Sequence, residues 1–461
     1  MIYKILVLLL IIQHSVYAQD PEQLLNEANE KMSIGDLFTA DSLLKESLKA
    51  DPSFAPAHIG FSELWLRKGD LNKANASATK AVQMDEEFRS WWNGLNDIRN
   101  KIQNGKRNVQ QGQFDAAMTE YESILEKHPY FPEAHFYMGL TKFRQKDIEG
   151  AAYYFSEALK LYPDHTKARK GLNNVTKQLL NNGNKAYKRG DLDKATDFYK
   201  KATKYDETFY LAFYQLGVLE KKIGNSEDAI SYFNKAISIK PDFHKAWFTL
   251  GTSYEVDNNL DSAIVKYEKA IELNPGYTKA YSNLGNIHLI RKDYDIARDI
   301  LLTAIQIDPE YADAYLRLGV VFSEQELFEE ASEQFKKSTE YDLKNHDAWF
   351  RYASSLNAID NFSEASIAAQ KCIDLKSNFG GGWYEKGVAE MKSGKKTRAL
   401  KYFEEANKDR DWRKLAQRKT NKDEQIKLLE KQLEEAKMKN EKLLEENKTK
   451  PNTKFSNPIK N

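Results

Sequence analysis

Apolar and small residues recur along this chain with a period of 34 residues, and polar residues fill most of the positions between them. Prolines mark the period first, because Pro241, Pro275 and Pro309 follow one another at intervals of 34 residues. A frame with proline at place 32 predicts eleven units within residues 21–413. The units are 21–54, 55–88, 98–131, 132–165, 176–209, 210–243, 244–277, 278–311, 312–345, 346–379 and 380–413.

Fixed places within each unit predict two antiparallel helices joined by a turn. Place 20 is alanine in all eleven units, place 8 is glycine in eight, and place 24 is a large aromatic residue in seven. Small residues at places 8 and 20 allow the two helices to approach closely, and the aromatic ring fills the adjacent space. Proline at place 32 ends the second helix. Glycines common in the turn adopt backbone angles that other residues avoid: Gly35, Gly69, Gly112, Gly190, Gly224 and Gly394.

These places carry a resemblance to a known family. In the unit 244–277 the matching residues are Trp247, Leu250, Gly251, Tyr254, Ala263, Tyr267, Ala270 and Pro275. Over residues 21–413 the sequence resembles the tetratricopeptide repeat family. The resemblance implies an all-α fold, a right-handed superhelical solenoid of about eleven helix-turn-helix repeats. It also implies that the first helices line a concave groove that holds extended peptides or partner helices.

Two insertions interrupt the array. We expect each to lengthen the helix that follows it, and their roles as hinges, as packing or as partner surfaces stay open. The resulting organisation is 21–88 for repeats 1–2, 89–97 for the first helical insertion, 98–165 for repeats 3–4, 166–175 for the second helical insertion and 176–413 for repeats 5–11.

The beginning of the chain differs from the array. Residues 1–18 combine Lys4, a run of eight apolar residues and small residues up to Ala18, which is typical of a secretory signal peptide cleaved after Ala18. Eight apolar residues are far short of the ~20 needed to span a bilayer. We therefore expect an exported protein, in a periplasm or cell envelope or else secreted, with no membrane span in its mature form.

Residues 414–450 are rich in lysine and glutamate and predict a charged helix. Apolar residues and one asparagine occur in it at the a and d spacing of a coiled coil: Ile426, Leu429, Leu433, Ala436, Asn440 and Leu443. The interleaved charges also suit a lone solvated helix. A short coiled coil, which would make a dimer through the C-terminal helix, and a single helix therefore both stay open. Pro451 ends the helix, and we expect 451–461 to be disordered.

Composition and motifs limit the kinds of binding and catalysis that the chain can support. The chain has 69 basic and 68 acidic residues, so there is no overall basic excess for nucleic acid. The only cysteine, Cys372, lies at place 27, where other units have small residues, and His58, His135 and His288 lie at packing places. The sequence has no glycine-rich phosphate loop and no Gly-x-Ser-x-Gly motif. We predict no catalytic residues, no cofactor and no metal.

The candidate binding residues come from the groove that the resemblance implies. Places 2, 5, 6, 9 and 12 of the first helices face it, and they form an apolar and aromatic lane with a few hydrogen-bonding groups. Such a lane suits a peptide held through backbone hydrogen bonds and side-chain pockets. Burial of place 5 against the neighbouring repeat is the competing interpretation. The candidates are Phe136, Tyr214, Phe248, Asn283, Asn286, Leu316, Arg317, Phe350, Arg351 and Tyr384.

The function expected from these observations is that of an exported, non-catalytic scaffold or adaptor that binds a protein or peptide partner. The alternative is an exported carbohydrate- or small-ligand-binding protein that uses the aromatic lane. The two-carboxylate clamp of chaperone-binding relatives is not expected, because Ser282 stands where that clamp needs lysine.

Overall fold

The computed structural model describes residues 20–449, and no strand occurs within them. The predicted signal peptide at 1–18 and the predicted disordered tail at 451–461 lie outside the described residues. Two compact units divide between Asp242 and Phe243. No helix within 20–449 has the length and apolarity that crossing a membrane requires.

Within residues 20–242, the first unit has twelve α-helices and one 3₁₀ turn, Glu86–Phe88. The helices are α1 (Pro21–Ser33), α2 (Leu37–Ala50), α3 (Ala55–Arg67), α4 (Leu71–Met84), α5 (Arg89–Gln110), α6 (Phe114–Leu125), α7 (Pro132–Arg144), α8 (Ile148–Leu161), α9 (Thr166–Lys188), α10 (Leu192–Tyr205), α11 (Tyr210–Ile223) and α12 (Ser226–Ile239).

Eleven α-helices are described in the second unit. They are α13 (His244–Val256), α14 (Leu260–Leu273), α15 (Thr278–Ile290), α16 (Tyr294–Ile307), α17 (Ala312–Glu324), α18 (Phe328–Tyr341), α19 (His346–Ala358), α20 (Phe362–Leu375), α21 (Gly380–Lys392), α22 (Lys396–Ala406) and α23 (Arg413–Thr449). Each predicted repeat therefore supplies one helix pair, and the all-α prediction is confirmed.

The turn inside each repeat has one recurring geometry. The residue at place 15 has a positive φ in all eleven repeats, and six of these residues are the predicted glycines. The other five are not glycine, and they adopt the left-handed conformation at a cost in backbone strain: Lys146, Asn258, Lys292, Glu326 and Asp360. In several repeats the next residue is an aspartate that caps the second helix, as Asp36 does by accepting a hydrogen bond from the Thr39 N–H at 3.0 Å.

The contact between the two helices of a repeat follows the predicted pattern. Every place-20 alanine, from Ala40 to Ala399, is completely buried. The place-8 glycine lies against the place-24 ring, so that a Cβ on Gly251 would be 2.7 Å from Cε1 of Tyr267. The same close approach occurs in each repeat that has both residues, which confirms that the small residues set the distance between helices.

Both insertions lengthen a helix, as predicted. The helices α5 and α9 have 22 and 23 residues, where most helices of the array have 13 or 14. Trp91 and Trp92 in the first insertion are half-buried against the core of the first unit. Their indole N–H groups donate to Ser62 Oγ at 2.9 Å and to Thr79 Oγ1 at 3.1 Å, so packing accounts for both side chains.

Candidate functional site

The face formed by the first helices of the second unit carries eight of the ten predicted binding residues. Neighbouring first helices contact each other directly, as α15 does with α17 and α19 does with α21. In these pairs of repeats the first helices therefore lie side by side. The other two predicted residues, Phe136 and Tyr214, belong to the first unit, on α7 and α11.

The aromatic residues at place 5 pack on aromatic residues of the second helix. Phe248 lies with its ring centroid 5.5 Å from that of Tyr267, and Tyr384 lies 5.7 Å from Phe403. In the first unit the corresponding distances are 5.9 Å for Phe136 with Phe155 and 5.7 Å for Tyr214 with Phe233. Phe136 is only 8% exposed, whereas Tyr214, Phe248, Leu316, Phe350 and Tyr384 are half-buried.

Trp412 covers the C-terminal part of the lane. Its ring centroid lies 5.3 Å from that of Phe350 and 5.4 Å from that of Tyr384. The place-5 pattern did not indicate this residue, because it precedes α23 at the very end of the array. A signal was nevertheless present in the three consecutive glycines at 380–382. A Cβ on Gly381 would lie 2.9 Å from Cζ2 of Trp412, so the missing side chain makes room for the indole.

A polar cluster lies beside the aromatic lane in the first two repeats of the second unit. The Tyr267 hydroxyl donates to Glu255 Oε2 at 2.5 Å and accepts from Asn283 Nδ2 at 3.2 Å. Asn286 Nδ2 donates to Glu255 Oε1 at 3.4 Å. Burial and the hydrogen bond to Glu255 raise the pKa of Tyr267, and the positive charge of Arg317 opposes that rise. The fold therefore brings Asn283, Asn286 and Arg317 together.

Two arginines extend the polar cluster along the following repeats. Arg317 Nε donates to Asp313 Oδ2 at 2.8 Å, and the Ser282 hydroxyl donates to the same oxygen at 2.6 Å. Arg351 Nε donates to Asp347 Oδ2 at 2.9 Å, which repeats the arrangement one unit later. We name the set Glu255, Tyr267, Ser282, Asn283, Asn286, Asp313, Arg317, Asp347 and Arg351 the polar strip. It offers both donors and acceptors next to half-exposed rings.

The cysteine and histidine side chains that could suggest catalysis are buried or half-buried in the packing between helices. Cys372 is completely buried, and burial raises the pKa of its thiol to about 12. Burial also lowers the pKa of His58 and of His135, both of which are half-buried. Within residues 20–449, no three side chains of histidine, cysteine, aspartate or glutamate are grouped so that they could hold a metal ion.

Family models identify the repeats. Three models described as tetratricopeptide repeat match residues 103–166, 210–243 and 277–344, and a fourth, described as TPR repeat, matches residues 257–290. This chain belongs to the tetratricopeptide repeat family. No curated protein matches it.

Solved structures of other tetratricopeptide repeat proteins are similar to parts of the chain. MamA is 30% identical over 37% of this chain and 92% of its own, with a TM-score of 0.33. YrrB, described as a TPR protein with an unusual peptide-binding site, is 22% identical over 41% of this chain and 97% of its own, with a TM-score of 0.36. A tetratricopeptide repeat protein from Parabacteroides merdae is 15% identical over 53% of this chain and 96% of its own, with a TM-score of 0.41.

Proposed function

We propose that this tetratricopeptide repeat protein is a non-catalytic scaffold that binds an extended segment or a helix of a protein partner. The binding surface is the first-helix face of the second unit. The observation that carries the proposal is the polar strip, which lies beside half-buried aromatic rings on one face of consecutive repeats. An extended peptide exposes backbone N–H and C=O groups, and such a surface can satisfy them while its apolar rings hold side chains.

The two arginines of the polar strip give the surface its charge preference. Each is paired with an aspartate four residues earlier on the same helix, and both partners of each pair are partly exposed. Exposed pairs of this kind contribute at most about 1 kcal/mol to folding. An approaching carboxylate or carbonyl oxygen can therefore compete for the guanidinium groups without unfolding the repeats.

Site-specific photo-crosslinking in the native compartment tests this function. A photoreactive residue at position 286 lies on the proposed surface, and one at position 296 replaces Ile296, an exposed side chain on the second helix α16. We expect discrete crosslinked protein species from position 286 and none of the same species from position 296. The double variant Arg317→Glu, Arg351→Glu should reduce those species while its circular dichroism spectrum stays unchanged.

Equal crosslinking from both positions would contradict the assignment of the binding surface. Crosslinking that the double variant leaves unchanged would contradict it as well. The carbohydrate-binding alternative would be favoured if the purified protein bound specific glycans on an array and no protein species crosslinked at position 286.

The proposal includes export of the protein. Its support is the sequence of residues 1–18, which has the order of charge, apolar run and small residues typical of a signal peptide. Mass spectrometry of protein purified from its native source should give an N-terminus at Gln19. A mature chain that still begins at Met1 would contradict the proposed cleavage.

A further inference from the structure

The first unit contains a cleft that the repeat pattern did not indicate. Its volume is about 530 Å³, within the range typical of ligand sites. Three parts of the first unit line it: the turn between α3 and α4, the inward face of α5, and the stretch from α7 to the start of α9. We name it the α5 cleft, since the insertion-lengthened helix forms one of its walls.

Contacts between residues distant in the sequence hold the α5 cleft in shape. Gly69 in the α3–α4 turn has φ +76°, and a Cβ there would lie 3.3 Å from the imidazole ring of His165. Tyr162 packs against the core of the first two repeats, which includes Met32 and Leu64. The connection before α9 is thereby joined to repeats 1 and 2. These contacts fix the walls of the cleft relative to one another within the first unit.

The buried acidic group of the cleft is already neutralised. Glu133 accepts hydrogen bonds from His165 Nε2 at 2.8 Å and from Lys167 Nζ at 3.0 Å. The backbone N–H of Ala168 donates to His165 Nδ1 at 3.1 Å, so Nε2 carries the proton that Glu133 accepts. Burial would raise the pKa of Glu133, but these hydrogen bonds outweigh burial and lower it. Glu133 therefore does not need a cationic ligand.

Cations of α5 in the same cleft have no acidic partner. Neither Arg99 nor Lys106 makes an ion pair with any described residue. The Lys106 ammonium lies 4.5 Å from the ring centroid of Tyr137, which is a cation–π contact. A third cation, Lys68, is half-buried on the wall, and burial lowers its pKa.

The remaining acidic groups that line the cleft are Asp70 and Asp164. Asp70 caps α4, accepting from the Lys73 N–H at 3.0 Å, and its carboxylate pairs with Lys73 Nζ at 3.5 Å. Asp164 is exposed in the connection between α8 and α9. The unpaired positive charge is therefore concentrated on the α5 wall, on Arg99 and Lys106.

We propose that the α5 cleft binds an acidic segment of a polypeptide through two carboxylate side chains, one at Arg99 and one at Lys106. The two cations are seven residues apart on one helix face, a rise of about 10.5 Å. A polyproline II segment places side chains i and i+3 on the same side about 9.3 Å apart, which matches that separation. Guanidinium and ammonium groups form their strongest hydrogen bonds with carboxylates. This site lies in the first unit and does not depend on the function proposed for the polar strip.

A matched pair of peptides tests the proposal. The probe is a fluorescein-labelled, amidated, proline-rich peptide of eight residues with glutamates at its third and sixth positions, and the control peptide has glutamines there. Fluorescence polarisation with the full chain should show binding of the glutamate peptide only. Its affinity should fall in 0.5 M NaCl, because salt screens exposed charges.

Variants locate the binding. Arg99→Gln and Lys106→Gln should each weaken binding of the glutamate peptide by roughly 10-fold, since each removes one charge-assisted hydrogen bond. Arg317→Gln, in the polar strip, should leave it unchanged. Equal binding of the two peptides, no binding at 1 mM of the full chain, or full affinity of the Arg99→Gln, Lys106→Gln double variant would each overturn the proposal. Loss of peptide binding in Arg317→Gln would also overturn the proposal, because it would show that the peptide binds to the second unit.

Discussion

A methyl group added to Gly217 would lie 2.6 Å from Cε1 of Phe233, inside the distance that carbon atoms tolerate. The helices α11 and α12 are therefore as close as a residue without a side chain allows. The same relationship holds in repeats of both units: Gly105 with Tyr121, Gly139 with Phe155, Gly251 with Tyr267, Gly319 with Phe335 and Gly387 with Phe403.

The variant Gly217→Ala should lower the free energy of unfolding by about 1–3 kcal/mol, because overpacking displaces the buried ring of Phe233. The matched control is Gly94→Ala in α5, where an added Cβ meets no atom within 4 Å. Because alanine is the better helix former, Gly94→Ala should raise stability by up to about 1 kcal/mol. Urea unfolding followed by circular dichroism measures both. Equal effects of the two variants would contradict the packing argument.

Lys292 lies in the turn between α15 and α16 with φ 65°, where six other repeats have glycine. Lys292→Gly should raise the free energy of unfolding by up to about 1 kcal/mol, since it removes left-handed backbone strain that exceeds the entropy cost of glycine. Lys336→Gly, at an exposed place inside α18, should instead lower it by about 1 kcal/mol. Urea unfolding should therefore give changes of opposite sign in the free energy of unfolding for the two variants. A loss of stability in Lys292→Gly would contradict the prediction.

Glu133 gives the first unit a defined dependence on pH. Its pKa is lowered in the folded chain from an ordinary value of 4.5, so the stabilisation is present above pH 4.5 and is lost as pH falls through the folded pKa. At pH 7, Glu133→Gln should reduce stability by about 1.5–3 kcal/mol, the range for hydrogen bonds to a charged group. The difference from the unmodified protein should shrink towards pH 3. Glu122→Gln, at an exposed residue of α6, should show no such trend in the same urea titrations.

Cys372 should be unreactive in the folded protein. Burial raises the pKa of its thiol to about 12, and the thiolate is the nucleophilic form. At pH 8 a chromogenic disulfide reagent should label less than a tenth of the protein until urea unfolds it, after which one thiol per chain should react. The chain contains only one cysteine, so the signal has a single source. Rapid labelling without urea would show that α20 is not packed as described.

The spacing in α23 leaves two predictions open, a coiled coil with a second copy of the chain and a lone solvated helix. The a and d residues Ile426, Leu429 and Leu433 are 39%, 63% and 58% exposed, and a coiled coil would bury them. Leu429→Lys with Leu433→Lys should convert a dimer into a monomer in light scattering, whereas Leu428→Lys, outside the a and d places, should not. A monomeric unmodified protein would support the lone solvated helix.

The features that depend on local spacing could be predicted from the amino-acid sequence. Helix pairs, their turns and the contacts among places 8, 20 and 24 recur every 34 residues, so one correct frame predicts them in every repeat. Both lengthened helices, α5 and α9, were predicted in the same way. These features involve residues close in sequence, and their geometry follows from helical periodicity.

Features that join distant residues or override local preference became visible in the folded chain. Trp412 reaches Phe350 across 62 positions, and His165 meets Gly69 across 96, so no periodic pattern contains either contact. Lys292 adopts a glycine-like conformation because the helices on both sides of the turn are held by packing, and that packing outweighs a strain of about 1–2 kcal/mol. A repeat pattern describes what every unit shares, whereas a binding site depends on what differs between units, and those differences become adjacent only when the chain folds.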